Sequence, residues 1–472
     1  MGVQGSGFRV QGSELQGLGA TVQGSGWYKV IKIFLVSFLL APGPWPLTPV
    51  FAQETLSLKT LVEEAKEKNP EIQAFRQRVK AKEFKAKVEG VLDDPTFKVE
   101  IEDIPKKEPF NLGSSMLTRY TFSQMLPFPG KLSLREKMAL KEALMAGAEL
   151  REKELEIITV LKEVYYEYAF IVESIKIARE IKTVLEDMAR ITEVRYSLGQ
   201  TSQQDVIKAQ VEISMLINEL LMLEQEKGVA QARLNAILNR DPTSPIGEPE
   251  KVPRERVDIK INELIERAID KNPRLRAMVY EIDVQGVVVE LANKNYYPDF
   301  MIGVAPIQRD GRFDSWDAMF SINIPIWRSK YDNQVKEARA TREVLLSRLK
   351  AEKNIKTFEV KDAVIKVDTA DRIRTLYETG LLPQAELSLS SALVNYQTGK
   401  VDFLTLLDNV RVLKKTKIEY IRTLVDYDKG VALLERVVGE EMMPWVRGQA
   451  PAPMLRGNQG QGSVASGGKD GE

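Results

Sequence analysis

The chain has 472 residues, enough for several domains, and balances 67 Lys plus Arg against 67 Asp plus Glu for a formal charge of zero. That balance gives no electrostatic reason to expect a nucleic acid as partner. With no Cys and no His, disulfides, thiolate or imidazole metal sites, and Ser-His or Cys-His catalysis are excluded. An enzyme would have to work with carboxylates, Lys or Tyr, so no catalytic residue, metal site or cofactor is assigned.

Residues 1–26 are rich in Gly, Gln and Ser, and VQGS recurs at Val3, Val10 and Val22. Such a segment cannot build a core, and it is expected to be translated upstream sequence. Lys29 and Lys32 accompany the apolar run VIKIFLVSFLLA (30–41), and a Pro-rich stretch then leads to VFA at 50–52. This reads as a secretory signal peptide cut after Ala52, the run being short for a membrane span. A buried core helix is the other reading of the run, with four prolines against it. The segment from about residue 447 is expected to be disordered. The division is therefore 1–52 (start and signal peptide), 53–250 and 251–446 (two repeats), and 447–472 (tail).

The two repeats announce themselves by anchors in a common order. LVEEAKEKNPEIQAF (61–75) and LIERAIDKNPRLRAM (264–278) are both predicted helices broken at Asn-Pro, and Asn69 and Asn272 lie 203 residues apart. Pro95 and Pro298 keep that spacing, YTFSQMLPF (120–128) matches AMFSINIPI (318–326), and Tyr196 and Gly199 match Tyr396 and Gly399. Each repeat reads helix, strand, strand, long helix, turn, long helix.

The strands alternate with period two. Phe97, Val99 and Ile101 oppose Lys98, Glu100 and Glu102, while Tyr120 and Phe122 oppose Arg119, Thr121 and Ser123. In the second repeat Phe300, Ile302 and Val304 share a face, and Trp316, Ala318, Phe320, Ile322 and Ile324 oppose Asp317, Ser321 and Asn323. A soluble antiparallel sheet packed on helices satisfies this pattern, and so do four outer-membrane strands of about ten residues. The signal peptide favours the second. Four strands cannot close a membrane barrel, whose smallest forms have about eight, so several chains would have to share one.

From Lys131 to Ser197 there is no proline and one glycine, which predicts a single helix of about 100 Å at roughly 1.5 Å per residue. Ile158, Leu161, Tyr165, Tyr168, Val172 and Ile175 mark a seam, continued after the turn by Val206, Ala209, Ile213, Leu216, Leu220, Leu223, Ala230, Leu234 and Ile237. Ile217, Leu221 and Met222 widen the stripe toward a second neighbour. The second repeat follows this plan over about 328–438, with a kink or break predicted at Leu382-Pro383.

The duplicated Asn-Pro motifs, the paired strands, SQMLPFPGKLSLR (123–135) and the turns YSLGQTSQQD (196–205) and YQTGKVDFLT (396–405) carry a resemblance. Over about 53–445 the chain resembles TolC-type outer membrane efflux proteins, and SQMLPFPGK is most similar to their metal-efflux branch. The resemblance implies an α+β membrane protein and a homotrimer. Its hairpins would form a twelve-helix periplasmic α-barrel beneath a twelve-stranded β-barrel in outer-membrane lipid. It implies a passive duct for an inner-membrane pump of the RND type, joined by a periplasmic adaptor. The lipidated Cys common in the metal branch is absent. A periplasmic coiled-coil adaptor or a structural tether is the alternative; the first would carry one hairpin, and the second would not explain four strands.

The resemblance also places a gate at the hairpin turns. Asp205, six after Gly199, matches an acidic residue bonding across the closed hairpins, and Tyr396 matches its tyrosine partner. Asp408 matches one of two constriction aspartates; the other position is Thr405. The family's gate arginine falls at Val401, with Lys400 as a substitute, so a looser gate is expected. Ser197, Leu198, Gly199, Gln200 and Thr201, with Gly399, Lys400 and Val401, would meet the adaptor. Plain hairpin surface is the bland reading of these residues.

Overall fold

The computed structural model describes residues 56–107, 109–112, 115–250 and 260–441. The expected signal peptide with its cut after Ala52, and the expected disordered tail, lie outside the described residues.

The chain opens with α1 (Leu58–Lys68) and α2 (Pro70–Glu89), and α5 (Ile261–Lys271) and α6 (Pro273–Lys294) repeat that pair. The Asn-Pro motifs do more than break these helices. Asn69 Oδ1 accepts from the amides of Glu71 and Ile72, and Asn272 Oδ1 accepts from those of Arg274 and Leu275. Each is thus the N-cap of the helix that follows, with Pro at the first helical position, where no amide is needed. Each side-chain amide then donates to the last turn of a distant helix, Asn69 to the Ile237 carbonyl and Asn272 to the Val437 carbonyl, both at 2.8 Å. One buried Asn per repeat therefore caps one helix and braces another.

The strands β1 (Thr96–Glu102), β2 (Leu117–Leu126), β3 (Phe300–Arg309) and β4 (Arg312–Ile322) form one antiparallel sheet in sequence order. β3 and β4 are joined by Asp310-Gly311, both at positive φ (46° and 80°), the combination a two-residue hairpin favours. The register sets Phe97 opposite Phe122, Phe122 opposite Val304, and Val304 opposite Ala318, so the apolar residues of all four strands share one face. That face is the exposed one: Phe97, Val99, Phe122, Ile302, Val304, Trp316 and Phe320 are between 45% and 69% exposed. On the other face Thr121, Ala305 and Ile307 are buried, and Arg119 reaches Glu102 at 3.0 Å and Asp317 at 3.6 Å. The sheet is thus inside-out relative to a water-soluble one, in which the apolar face is covered.

The long helix is α3 (Lys131–Ser197), 67 residues without interruption. It turns into α4 (Gln203–Ile237) and packs against it. All six seam residues from Ile158 to Ile175 are buried, and the α4 seam is buried or half-buried throughout. In the second repeat α7 (Arg328–Leu376) passes through a π-helical turn at Tyr377–Leu381 into α8 (Leu382–Gln397), which turns into α9 (Phe403–Val438). Of the kink or break expected at Leu382-Pro383, the structure shows a local π-helical distortion rather than a break. A proline ring clashes with the carbonyl four residues before it and offers no amide. Widening the preceding turn to π geometry moves that carbonyl aside, so the helix continues.

The hairpins are joined through α9, which packs on both α3 and α8. Tyr165, Tyr168 and Leu161 anchor one core around α3, with α1 and the end of α4; Met188, Tyr396, Phe403 and Leu406 anchor a second near the turns. A ladder of ion pairs runs along the join: Arg411–Glu212 (Nε–Oε1 3.0 Å), Lys414–Glu219 (2.6 Å), Lys417–Glu180 (3.0 Å), Arg422–Glu167 (3.2 Å), Lys429–Glu167 and Lys162–Glu435. The last pair is buried on both sides.

Candidate functional site

The two turns are built alike. Gly199 and Gly399 adopt left-handed φ of 71° and 77°. The amides of Gln200 and Lys400 bond back to the carbonyls of Arg195 and Asn395, each at 2.8 Å, and those of Gly199 and Gly399 to the carbonyls of Tyr196 and Tyr396. This is the Schellman closure, and it explains a glycine at each tip, since a Cβ disfavours left-handed backbone. Ser202 and Asp402 then start the return helices, Asp402 Oδ1 accepting from the Thr405 amide at 2.8 Å.

The side chains at the turns diverge. Tyr396 is 2% exposed and Tyr196 is 46% exposed. Tyr396 sits edge-on to Phe403 at 5.9 Å, and its phenol lies 3.1 Å from the Thr192 hydroxyl on α3. That hydroxyl already donates to the Met188 carbonyl, so the phenol donates to Thr192. Asp205 accepts from Thr201 Oγ1 at 2.7 Å within its own turn. The structure therefore does not bring Asp205 and Tyr396 together: each is satisfied by a residue of α3 or of the turn after it.

A cation that reaches from one turn to the other is Arg195, which the sequence reading did not single out. It leaves the last turn of α3, donates from Nη1 to the Tyr396 carbonyl, and places its guanidinium 4.8 Å from the Tyr396 ring centroid. Its Nε is buried with no protein partner. Lys400, the expected substitute for the gate arginine, is exposed and its ammonium has no bonded partner among the described residues. Val401 packs into the core near the turns. Ser197, Leu198, Gly199 and Gln200 are exposed at the first tip.

Asp408 and Thr405 are exposed on α9, and Asp408 adds to the electrostatic environment of Arg411. A groove of about 580 Å³ runs beside them between α4 and α9, walled by Ile207, Val211, Met215 and Leu407 and by the Glu212–Arg411 pair. The Arg411 bond holds the Glu212 carboxyl below its usual value, burial opposing. No group of His, Cys, Asp or Glu among the described residues is arranged to hold a metal.

Surfaces without a partner complete the picture. Ile207, Val211, Met215, Leu221, Met222 and Val229 form an exposed stripe along α4, while Phe358, Ile365, Leu387 and Val394 are exposed on α7 and α8. Among the described residues, β1 and β4 each pair on one side only.

A family model described as outer membrane efflux protein matches residues 61–240. The chain is 23% identical over 408 residues to the cobalt-zinc-cadmium resistance protein CzcC of Cupriavidus metallidurans, covering 83% of this chain and 93% of that protein. Its fold is similar to that of the outer-membrane channel OprN, with TM-score 0.71 and 17% identity over 81% of this chain and 89% of that one. It is also similar to the outer membrane protein VceC of Vibrio cholerae, with TM-score 0.68 and 17% identity over 81% and 96% of the two chains.

Proposed function

We propose that this chain belongs to the outer membrane efflux protein family and is the outer membrane channel of a tripartite efflux system. It is a passive duct rather than an enzyme. The observation that carries the reading is the inside-out sheet with two unpaired edges. In water an exposed face of Phe, Val, Ile and Trp is a liability, and in lipid an unpaired strand edge is forbidden. Both are resolved if sheets from several chains close edge to edge in a membrane, apolar face outward. No helix of the described residues is long and apolar enough to cross a membrane, so on this reading the strands do the spanning.

We further propose a homotrimer with twelve strands and twelve helices in the barrel walls. In each chain the helices lie in the order α4, α3, α9, α8, leaving the apolar stripes of α4 and α8 on opposite flanks to meet in neighbouring copies. The two repeats, 53–250 and 251–446, then give pseudo-equivalent hairpins whose tips close the periplasmic end and dock an adaptor carrying an RND-type pump. Arg195, Tyr396, Asp205 and Asp408 are the residues proposed to govern that gate, and Ser197 to Thr201 and Gly399 to Val401 the adaptor contacts. The cargo proposed is metal cations, following the name of the relative CzcC and the SQMLPFPGK stretch; a duct needs no tight metal site.

The test is expression of the full chain with its leader, followed by membrane fractionation and bilayer recording. The reading expects protein in the outer membrane and cation-conducting channels. A soluble, non-conducting product defeats it.

A further inference from the structure

At the foot of the sheet the apolar face runs into a cleft of about 800 Å³ between the end of α6, the end of β4 and the start of α7. Ile322 and Ile324 line it. They continue the alternating face that carries Trp316 and Phe320, so the cleft opens on the exposed apolar side. Lys294 and Arg328 line it as well.

Aromatic rings position both cations. Lys294 Nζ lies 5.4 Å from the Phe128 ring and 5.8 Å from the Tyr297 ring, and those rings are stacked at 4.5 Å. The Arg328 guanidinium lies 5.9 Å from the Tyr296 ring, whose hydroxyl donates to Asp332. Neither cation has an ion-pair partner among the described residues. The carboxylate in the wall, Glu290, is already matched by Lys137 at 3.2 Å.

An unpaired surface Lys or Arg is ordinarily just solvated. Here two of them share one cleft with two tyrosines, at the line where an exposed apolar face ends. Aromatic and basic side chains gather at such a boundary because lipid glycerol and phosphate groups lie there. We propose that this cleft binds the phosphate of a glycerophospholipid headgroup from the periplasmic leaflet. Lys294 and Arg328 contact the phosphate oxygens, Tyr296 and Tyr297 lie at the glycerol level, and Ile322 and Ile324 meet the first acyl methylenes. The inference rests on the reading that the sheet spans the outer membrane.

The probe is phosphatidylglycerol, added to the purified, delipidated full chain in detergent, with bound lipid counted by native mass spectrometry. Wild type is expected to retain it. The Lys294→Gln, Arg328→Gln double variant is expected to bind about 30-fold more weakly, at roughly fivefold for each surface cation. Lys294→Arg keeps the charge and is expected to bind as wild type, which controls for misfolding. Equal lipid affinity in wild type and double variant overturns the site. Displacement of the lipid by inorganic phosphate alone overturns it too, because the cleft would then be a free-anion site. Bilayer conductance of the same wild-type preparation separates the two failures. A conducting protein that retains no lipid loses only this site, whereas a non-conducting one loses the membrane reading with it.

Discussion

Replacing Arg195 by Ala removes a side chain that reaches from the first hairpin onto the Tyr396 backbone. The lost bond is from a charged donor to a carbonyl, a class worth about 1.5–3 kcal/mol, and Arg195 is only half-buried, so the lower part of that range applies. The guanidinium over the Tyr396 ring adds about 0.5–1 kcal/mol. Together they bias the packed hairpins by about 2–2.5 kcal/mol, roughly 30- to 70-fold in a two-state equilibrium. The Tyr396 phenol stays bonded to Thr192, so the variant loosens the tip without dismantling its core. The assay is single-channel conductance in planar bilayers, alongside sensitivity of expressing cells to bulky antibiotics normally excluded by the outer membrane. Arg195→Ala is expected to raise open probability and sensitivity, and Arg195→Lys, which keeps the charge but loses the planar stack, to fall between. Wild-type conductance in Arg195→Ala would refute the assignment of Arg195 as a gating link between the two turns. A matching effect from Lys400→Ala would move the link to the position originally expected.

Asp408→Ala should weaken block by divalent and trivalent cations in bilayer recordings; unchanged block removes Asp408 from the constriction. Asn272→Ala loses an N-cap and strands the Val437 carbonyl, an expected cost of about 2–4 kcal/mol by denaturant unfolding, with Asn69→Ala behaving alike. Lys162→Met should destabilise by about 3–5 kcal/mol because it removes one partner of a buried ion pair, while Lys162→Met with Glu435→Leu should recover most of that loss. Acid should loosen the ion-pair ladder. Burial raises Glu167, but Lys429 and Arg422 outweigh it, and Glu212 is lowered mainly by Arg411, so both lie below their usual 4.5. A depressed carboxylate stabilises the fold above its unfolded value and loses that contribution as pH falls through the lower folded one. Conductance should therefore rise below about pH 4.5, and Glu212→Gln should show part of the effect at neutral pH.

What the sequence discloses here is mostly local. The Lys131–Ser197 helix is legible because nothing in 67 residues interrupts it. The shared apolar face of the strands is legible because alternation depends only on the pleat. That this face is the exposed one is not legible, since exposure depends on which side the sheet curls and packs. Pro383 predicts a kink or a break; that a π turn absorbs it depends on the backbone upstream. Asn69 and Asn272 read as helix breakers, yet half of what each does lies in a bond to a carbonyl 168 or 165 residues away. The tips show the limit most clearly. Tyr196 and Tyr396 occupy matching places in matching turns, yet only Tyr396 is buried, because only α8 turns that face toward α3. Arg195 stands next to Tyr196 in sequence and serves Tyr396, 201 residues on. The only sequence signal for it is that Asn395 holds its place in the second turn, a difference between repeats rather than a motif.

The central claim is that several copies close their sheets edge to edge, and the chain lends itself to a direct test because it has no native Cys. Cysteines placed at Val99 on β1 and Ala318 on β4, joined by a flexible bismaleimide in intact outer membranes, should link each chain to its neighbours. The account predicts a ladder that ends at a covalent trimer, with each single-cysteine variant stopping at dimer or monomer. A double variant that remains monomeric, or a ladder that continues past three, would contradict it.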